Sequence, residues 1–183
     1  SRGHGLVEIT RFARDEETPD TEPLSERLYR FDELAKRMAG GKLKPERNYF
    51  TLTLQAPLIL PDQEIHPDWH IREGDDGDWT RLFPGIAALP MARLEFIQHR
   101  FTQVTGWSSL WQLPKPTLRA LAAGSVYVFS TTEESAGIEP IAAELEFTGA
   151  GLCRAEGFGA IYVSDPFHRE VISYGLSLIH ISE

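Results

Sequence analysis

The chain lacks the features of a disulfide-stabilised secreted domain and of a membrane-spanning protein. Its single cysteine, Cys153, cannot form an internal disulfide, and nothing in the cysteine content points to an oxidising compartment. No apolar run approaches the roughly 20 residues that a membrane-spanning helix needs. The first residues do not show the basic-then-apolar pattern of a secretory signal. We therefore expect a cytoplasmic protein with no membrane partner.

The residues that are present are sufficient for a substantial core. The chain has 183 residues, of which 42% are apolar, enough for one domain or for one domain and part of another. It begins at Ser1, in what reads as the middle of a motif, so we expect it to be cut from a longer protein.

The net charge of −9 argues at first against a nucleic-acid-binding protein, but the charges are unevenly distributed. Residues 15–34, 62–78 and 133–146 hold 20 of the 27 acidic residues and only three of the 18 lysines and arginines. The remainder carries 15 basic and seven acidic residues. An acidic average therefore leaves room for a neutral or basic face.

Hydrophobic periodicity predicts an α+β chain. Residues 23–39 have apolar side chains at helical spacing, and from Asn48 the period changes to two, as in a half-buried strand. Residues 61–80 read as a long acidic loop. The elements predicted from residue 48 onwards are a strand at 48–55, a short helix at 81–89, a strand at 92–104, a strand at 124–129, a helix from Pro140 to about 147 and a strand at 158–163. This order is the βαββαβ plan of ferredoxin-like RNA-recognition folds, with both helices on one sheet face and the other face free.

Residues 149–159 (GAGLCRAEGFG) form a glycine-rich segment between the last helix and the last strand. Glycine tolerates a positive φ and lets a backbone approach a ligand closely. Successive amides in such a turn can form an anion site, to which Arg154 would add a fork of donors. The alternative is a helix cap and tight turn that need glycine for geometry alone, and the sequence leaves both interpretations open.

Several motifs resemble those of the RAMP superfamily, whose members build CRISPR effector complexes. GLCRAEGFG at 151–159 is similar to the C-terminal glycine-rich loop of that superfamily. LPKP at 113–116 followed by AGSVYVF at 123–129 resembles the segment before the loop, and LTLQAPLILPD at 52–62 resembles the opening strand. SRGHGLVEI at 1–9 resembles the end of a preceding RAMP domain. The closest resemblance is to the large two-domain RAMP subunit of type III-D systems, although Cys153 stands where members commonly have a basic residue.

This resemblance implies a domain organisation. Residues 1–14 would be the tail of a truncated first RAMP domain, and residues 15–47 a linker with an amphipathic helix. Residues 48–165 would be a second ferredoxin-like (RRM-like) domain with an antiparallel sheet, and residues 166–175 a tail. Residues 176–183 (LSLIHISE) look like read-through of a sequencing adaptor, so we exclude them, His180 included, from the fold.

The function that the resemblance implies is non-catalytic. Such subunits cap the complex at the 5′ handle of the guide RNA and contact the large signalling subunit, with no cofactor. The residues expected to hold RNA are glycines and cations of the two loops and of the 113–119 segment: Gly149, Gly151, Arg154, Gly157, Gly159, Lys115, Arg119, Arg2, Gly3, His4 and Gly5. Tyr127 or Phe158 would stack on an unpaired base, or else belong to the core.

Two rival functions stay open. A RAMP endoribonuclease, which processes guide RNA or cleaves target RNA, would use candidates among Asp62, Asp68, His66 and His4. A ferredoxin-like protein–protein adaptor without RNA contact would suit the acidic charge.

Two further patterns have competing interpretations. His66, Asp68 and His70 have alternating spacing that permits metal ligation, but we expect a solvated loop and no metal there. Trp107 and Trp111 are expected to cover the edge of the core, with a partner anchor as the alternative.

Overall fold

The computed structural model describes residues 22–39, 41–61 and 79–169. The predicted domain tail at 1–14, most of the acidic loop at 61–80, part of the 166–175 tail and the adaptor-like residues 176–183 lie outside this part of the chain. Among the described helices, none has the length and apolar character needed to cross a membrane.

The first helix, α1, spans Leu24–Met38 and confirms the amphipathic helix predicted at 23–39. Glu26 lies in its first turn, and Lys36 and Arg37 lie in its last turn, where each charge complements the helix dipole. Leu28 and Phe31 are buried on the inner face of the helix. The helix packs against strand β1 and helix α4, so this part of the predicted linker contacts the sheet domain directly.

The main sheet has four antiparallel strands. They are β1 (Asn48–Leu54), β3 (Arg93–Gln98), β8 (Val126–Thr131) and β9 (Ile161–Val163), in the order β3-β8-β1-β9. All three neighbouring pairs are antiparallel. The protein is therefore α+β with antiparallel sheets, consistent with the predicted ferredoxin-like plan.

The helices between these strands pack on one face of the sheet, as predicted. They are α2 (Trp79–Leu82), α3 (Pro84–Ala87) and α4 (Ser135–Thr148). The ring of Phe83 lies 5.3 Å from that of Tyr127, and the ring of Trp79 lies 5.1 Å from that of Phe129. The helices thus bury the large side chains of β8, and the predicted single short helix at 81–89 is two short helices.

A second sheet was not predicted. It consists of β2 (Leu58–Ile59), β7 (Leu118–Leu121) and β4 (Phe101–Val104), in the order β2-β7-β4. The prediction of one strand over 92–104 was wrong because β3 pairs with β8 in the main sheet, whereas β4 pairs with β7 in the second. The hairpin β5 (Trp107–Ser108) and β6 (Leu113–Pro114) extends from this second sheet.

Helix α4 begins earlier than predicted. Pro140 was placed in its first turn, but the helix starts at Ser135 and Pro140 lies inside it. Burial of Ile138 against the core explains the difference, because it keeps the preceding turn helical although Pro140 cannot donate a backbone hydrogen bond.

The opposite face of the sheet is not free over β1, and that expectation was wrong. Thr51 and Thr53 are buried, as are Phe50 and Leu52 on the helix-covered face. The Oγ1 atom of Thr53 lies 2.7 Å from Nε2 of His168, so the segment after β9 covers part of this face.

Candidate nucleic-acid interface

The glycine-rich segment forms a closed loop that protrudes beside β2. The N–H of Ala150 donates to the carbonyl of Gly159 at 2.9 Å and closes the base of the loop. The N–H groups of Leu152 and Gly159 donate to the carbonyls of Ile59 and Pro57, at 3.0 and 2.9 Å. Residues 152–157 are exposed. The backbone of the loop is therefore fixed at its base and accessible at its tip.

Three glycines are required by the packing of the protein's own backbone. A Cβ atom on Gly159 would lie 1.8 Å from the carbonyl oxygen of Ala150, and one on Gly149 would lie 2.6 Å from that of Gly159. A Cβ atom on Gly151 would lie 2.5 Å from the carbonyl oxygen of Ile59. All three have positive φ angles. The geometric interpretation of these glycines thus accounts for their presence without a ligand.

The tip of the loop has a different character. A 3₁₀ turn spans Arg154–Glu156, preceded by Cys153 at φ 58° and followed by Gly157 at φ 89°. A Cβ atom on Gly157 would meet nothing within 4 Å. A left-handed residue followed by right-handed ones directs successive amides to one side, the arrangement that binds anions in other proteins.

A groove of about 300 Å³ lies on one side of the loop. Its walls are the loop, the α2–α3 turn and the end of α4, and Arg81 and Arg154 both line it. Neither guanidinium group forms an ion pair or hydrogen bond with any residue in the described part of the chain. Glu144 lines the same groove and is its acidic member. One guanidinium group from the glycine loop and one from α2 thus line the groove.

Arg81 was not among the site residues predicted from sequence. It follows an acidic stretch and lies in a four-residue helix, so no local pattern distinguishes it from a solvated surface arginine. Only the packing of α2 against the remainder of the domain brings it to the groove that Arg154 lines.

A second pocket of about 320 Å³ lies on the other side of the loop. Its lining is mainly apolar and includes Ile59, Leu118 and Phe158, with Lys115 among the polar members. Lys115 also forms an ion pair with Glu156, Nζ to Oε2 at 3.7 Å, and both side chains are exposed. The structure therefore brings Lys115 together with the glycine loop.

The remaining predicted residues are placed differently. Arg119 is an exposed residue of β7 that lines neither the groove nor the pocket. Tyr127 cannot stack on a base, because its side chain is fully buried. The same burial raises the pKa of its hydroxyl group. Phe158 is partly exposed at the apolar pocket.

The two tryptophans do not cover the core edge, and that expectation was wrong. Trp107 and Trp111 are 60% and 73% exposed on the β5–β6 hairpin.

The candidates for catalysis and for metal binding fall outside the described residues, as do those of the first glycine loop. They are Asp62, His66, Asp68, His70, Arg2, Gly3, His4 and Gly5. Within residues 22–39, 41–61 and 79–169, no three histidine, cysteine or acidic side chains are grouped as metal ligands.

Taken together, the chain is an α+β protein with antiparallel sheets, and an exposed glycine loop that carries Arg154 precedes β9. Residues 36–165, more than two thirds of the chain, match the model of the family described as CRISPR-associated protein (Cas_Cmr3). The chain belongs to this family and is a type III CRISPR effector subunit. The RAMP and type III assignment from sequence is thereby confirmed, and the III-D subtype stays a prediction. A search of curated proteins found no match.

Proposed function

We propose that this protein is a non-catalytic subunit that holds the 5′ handle of the guide RNA and helps to assemble a cytoplasmic type III effector complex for antiviral defence. Its partners would be the guide RNA and other effector subunits, including the large signalling subunit. This role needs no cofactor, because it consists of binding and positioning alone.

The topology of the main sheet supports a ferredoxin-like RAMP domain. The four strands β1, β3, β8 and β9 are the first to fourth strands of this sheet along the chain, and they lie side by side in the order second, third, first, fourth. All neighbours are antiparallel, with helices between the first and second strands and between the third and fourth. A βαββαβ chain reaches this arrangement through its two split βαβ units. We keep 48–165 as the bounds of this domain, with residues 1–14 as the end of a preceding one.

The groove beside the glycine loop is the observation that carries the proposal. Arg81 and Arg154 line it together with Thr148 and the backbone of Gly149 and Gly151. Guanidinium groups bind phosphate through paired, charge-assisted hydrogen bonds, and the exposed loop amides would add neutral donors. A ribose-phosphate strand running along the groove would therefore meet two cations, whereas the amides of Gly149 and Ala150 already donate to carbonyls of the protein.

The glycine loop would act mainly as a rigid support in this mechanism. Because its base is closed by the Ala150–Gly159 hydrogen bond, the chain pays little further entropy to present Arg154 when RNA binds. The apolar pocket with Lys115 and Phe158 on the other side of the loop would accept an unstacked base of the same strand. Backbone phosphates would then be held on one side of the loop and a base on the other.

Two measurements test this function. The full-length subunit, purified with its complex, should carry a discrete small RNA that includes the repeat-derived handle. Affinity of the subunit for synthetic handle RNA should fall steeply as salt rises, because binding releases counterions from the phosphates and this release is less favourable at high salt. An RNA-free complex, or an affinity that does not respond to salt, would favour the protein–protein adaptor instead. Cleavage of the RNA by the purified complex, lost on substitution of Asp62 or His66, would favour the endoribonuclease.

A further inference from the structure

The β5–β6 hairpin, residues 107–114, is organised by its own hydrogen bonds. Trp107 pairs with Pro114 and Ser108 with Leu113. The N–H of Lys115 donates to the carbonyl of Gly106 at 2.8 Å and extends the pairing. The turn is closed by the N–H of Trp111, which donates to Oγ of Ser108 at 3.3 Å. The hairpin is therefore held in shape by its own hydrogen bonds.

This hairpin carries a concentrated apolar surface. Trp107, Leu110, Trp111 and Leu113 are 60%, 84%, 73% and 61% exposed. Four large apolar side chains within seven residues are unusual on a protein surface, because isolated exposed apolar residues are the norm and contiguous ones mark interaction sites. Tryptophan in particular is enriched among the residues that dominate binding energy in protein interfaces.

The hairpin also carries no charge. Residues 101–114 include no lysine, arginine, aspartate or glutamate. The nearest cation along the chain, Lys115, is paired with Glu156. Proteins that bind single-stranded nucleic acid combine aromatic side chains with a positively charged groove that follows the phosphates. A neutral apolar surface instead matches an equally uncharged apolar groove, where no phosphate or carboxylate is brought out of water.

We propose that the β5–β6 hairpin is a docking element that inserts Trp107 and Trp111 into an uncharged apolar groove of a neighbouring protein subunit of the effector complex. The proposal rests on the assembly role given above and adds to it the surface involved. The preformed hairpin lowers the entropy lost on docking, since its backbone is already ordered by its own hydrogen bonds.

The test uses the full-length subunit co-expressed with the other subunits of its type III complex. A Trp107→Ala/Trp111→Ala variant should weaken association with the complex by at least about tenfold, because truncating tryptophan anchors typically has effects of this size. Phe147→Ala is the matched control, since Phe147 is 90% exposed but lies on α4. This control should associate as the unchanged protein does. The single variant Trp111→Phe, which keeps Trp107 and an aromatic ring at position 111, should associate more strongly than the double alanine variant.

A second readout separates this proposal from RNA binding. The affinity of each purified variant for handle RNA is measured without partner subunits, and unfolding curves confirm that the variants are folded. Lost assembly with unchanged RNA affinity supports the proposal. Assembly at the level of the unchanged protein overturns it, and so does a loss confined to RNA affinity, which would make the hairpin a base-stacking element. If neither the unchanged protein nor any variant binds RNA, the proposed RNA function is wrong, but the docking proposal is still decided by the assembly measurement.

Discussion

Arg27 on α1 and Glu146 on α4 form a two-pronged ion pair beside strand β9. The Nη1 and Nη2 atoms of Arg27 lie 2.8 and 2.9 Å from the two carboxylate oxygens of Glu146. Arg27 also donates to the carbonyl of Val163, and Glu146 accepts from the N–H of the same residue at 2.7 Å. The guanidinium carbon lies 4.2 Å from the centroid of the Tyr162 ring. Among the described strands β9 lies at the edge of the main sheet, so the pair satisfies backbone groups of Val163 that none of these strands reaches.

Removal of Arg27 should therefore destabilise the protein. The side chain is buried, and Arg27→Ala would leave Glu146 without its cation and the Val163 carbonyl without its donor. We expect the free energy of unfolding to fall by about 2–4 kcal/mol, measured by urea denaturation. Arg30→Ala is the control, since Arg30 is exposed on the same helix and its loss should cost less than about 1 kcal/mol. Equal effects of the two substitutions would contradict the role given to Arg27.

Substitution of Gly159 should disrupt the base of the glycine loop. In Gly159→Ala the new Cβ would lie 1.8 Å from the Ala150 carbonyl oxygen, so the two backbones must separate. We expect a loss of about 2 kcal/mol or more in the free energy of unfolding, from strain and a lost hydrogen bond. In Gly157→Ala the new Cβ meets open space, so we expect only the cost of a left-handed φ at a non-glycine residue, about 1 kcal/mol in the free energy of unfolding. If both variants unfold at the same urea concentration as the parent, the loop is not built as described.

Stability should depend on pH through His168. Burial lowers the pKa of His168 from its ordinary value of 6.5, and Asp165 offsets part of that shift. The unfolded chain therefore takes up a proton before the folded chain does, and stability is lost as the pH falls through and below 6.5. His168→Gln keeps a partner for Thr53 but removes the titration. The fall in unfolding free energy between about pH 7.5 and about pH 5.5 should be smaller in this variant. An unchanged pH profile would show that other groups are responsible.

Neutralising Glu156 should strengthen RNA binding. Glu156 is exposed on the glycine loop and pairs with Lys115, so Glu156→Gln removes a negative charge and releases a cation. Surface ion pairs contribute only about 0–1 kcal/mol to stability, so folding should be unaffected. Affinity for handle RNA, measured by fluorescence anisotropy, should rise by about twofold. Weaker binding by this variant would mean that Glu156 contacts the RNA favourably.

The local elements of this fold were largely predictable from sequence, whereas their pairing was not. The spacing of Leu24, Leu28 and Phe31 predicted α1 to within a residue at each end, because an amphipathic helix encodes its buried face in its own period. The break at His99 and Arg100 was missed because β3 and β4 are both strands, and only their partners differ. Strand partners are chosen by long-range packing, which no local period records.

The candidate site was predictable to a lesser degree. The glycine loop and Arg154 were found because glycine spacing is a local signal, but the same signal did not distinguish backbone packing from ligand binding. The structure assigns Gly149, Gly151 and Gly159 to backbone packing. Arg81 joins the site only because the packing of α2 places it in the groove that Arg154 also lines, and Tyr127 leaves the site because its side chain is fully buried.

The salt dependence of binding to single-stranded handle RNA most directly tests whether the groove beside the glycine loop binds RNA. Each phosphate contact contributes about 0.7 to the slope of log affinity against log salt for a single strand. Arg81→Ala/Arg154→Ala should therefore bind more weakly and reduce the slope by about 1.4, whereas Arg37→Ala, an exposed arginine at the end of α1, should leave it unchanged. A double variant that keeps both the affinity and the slope of the unchanged protein would contradict the account.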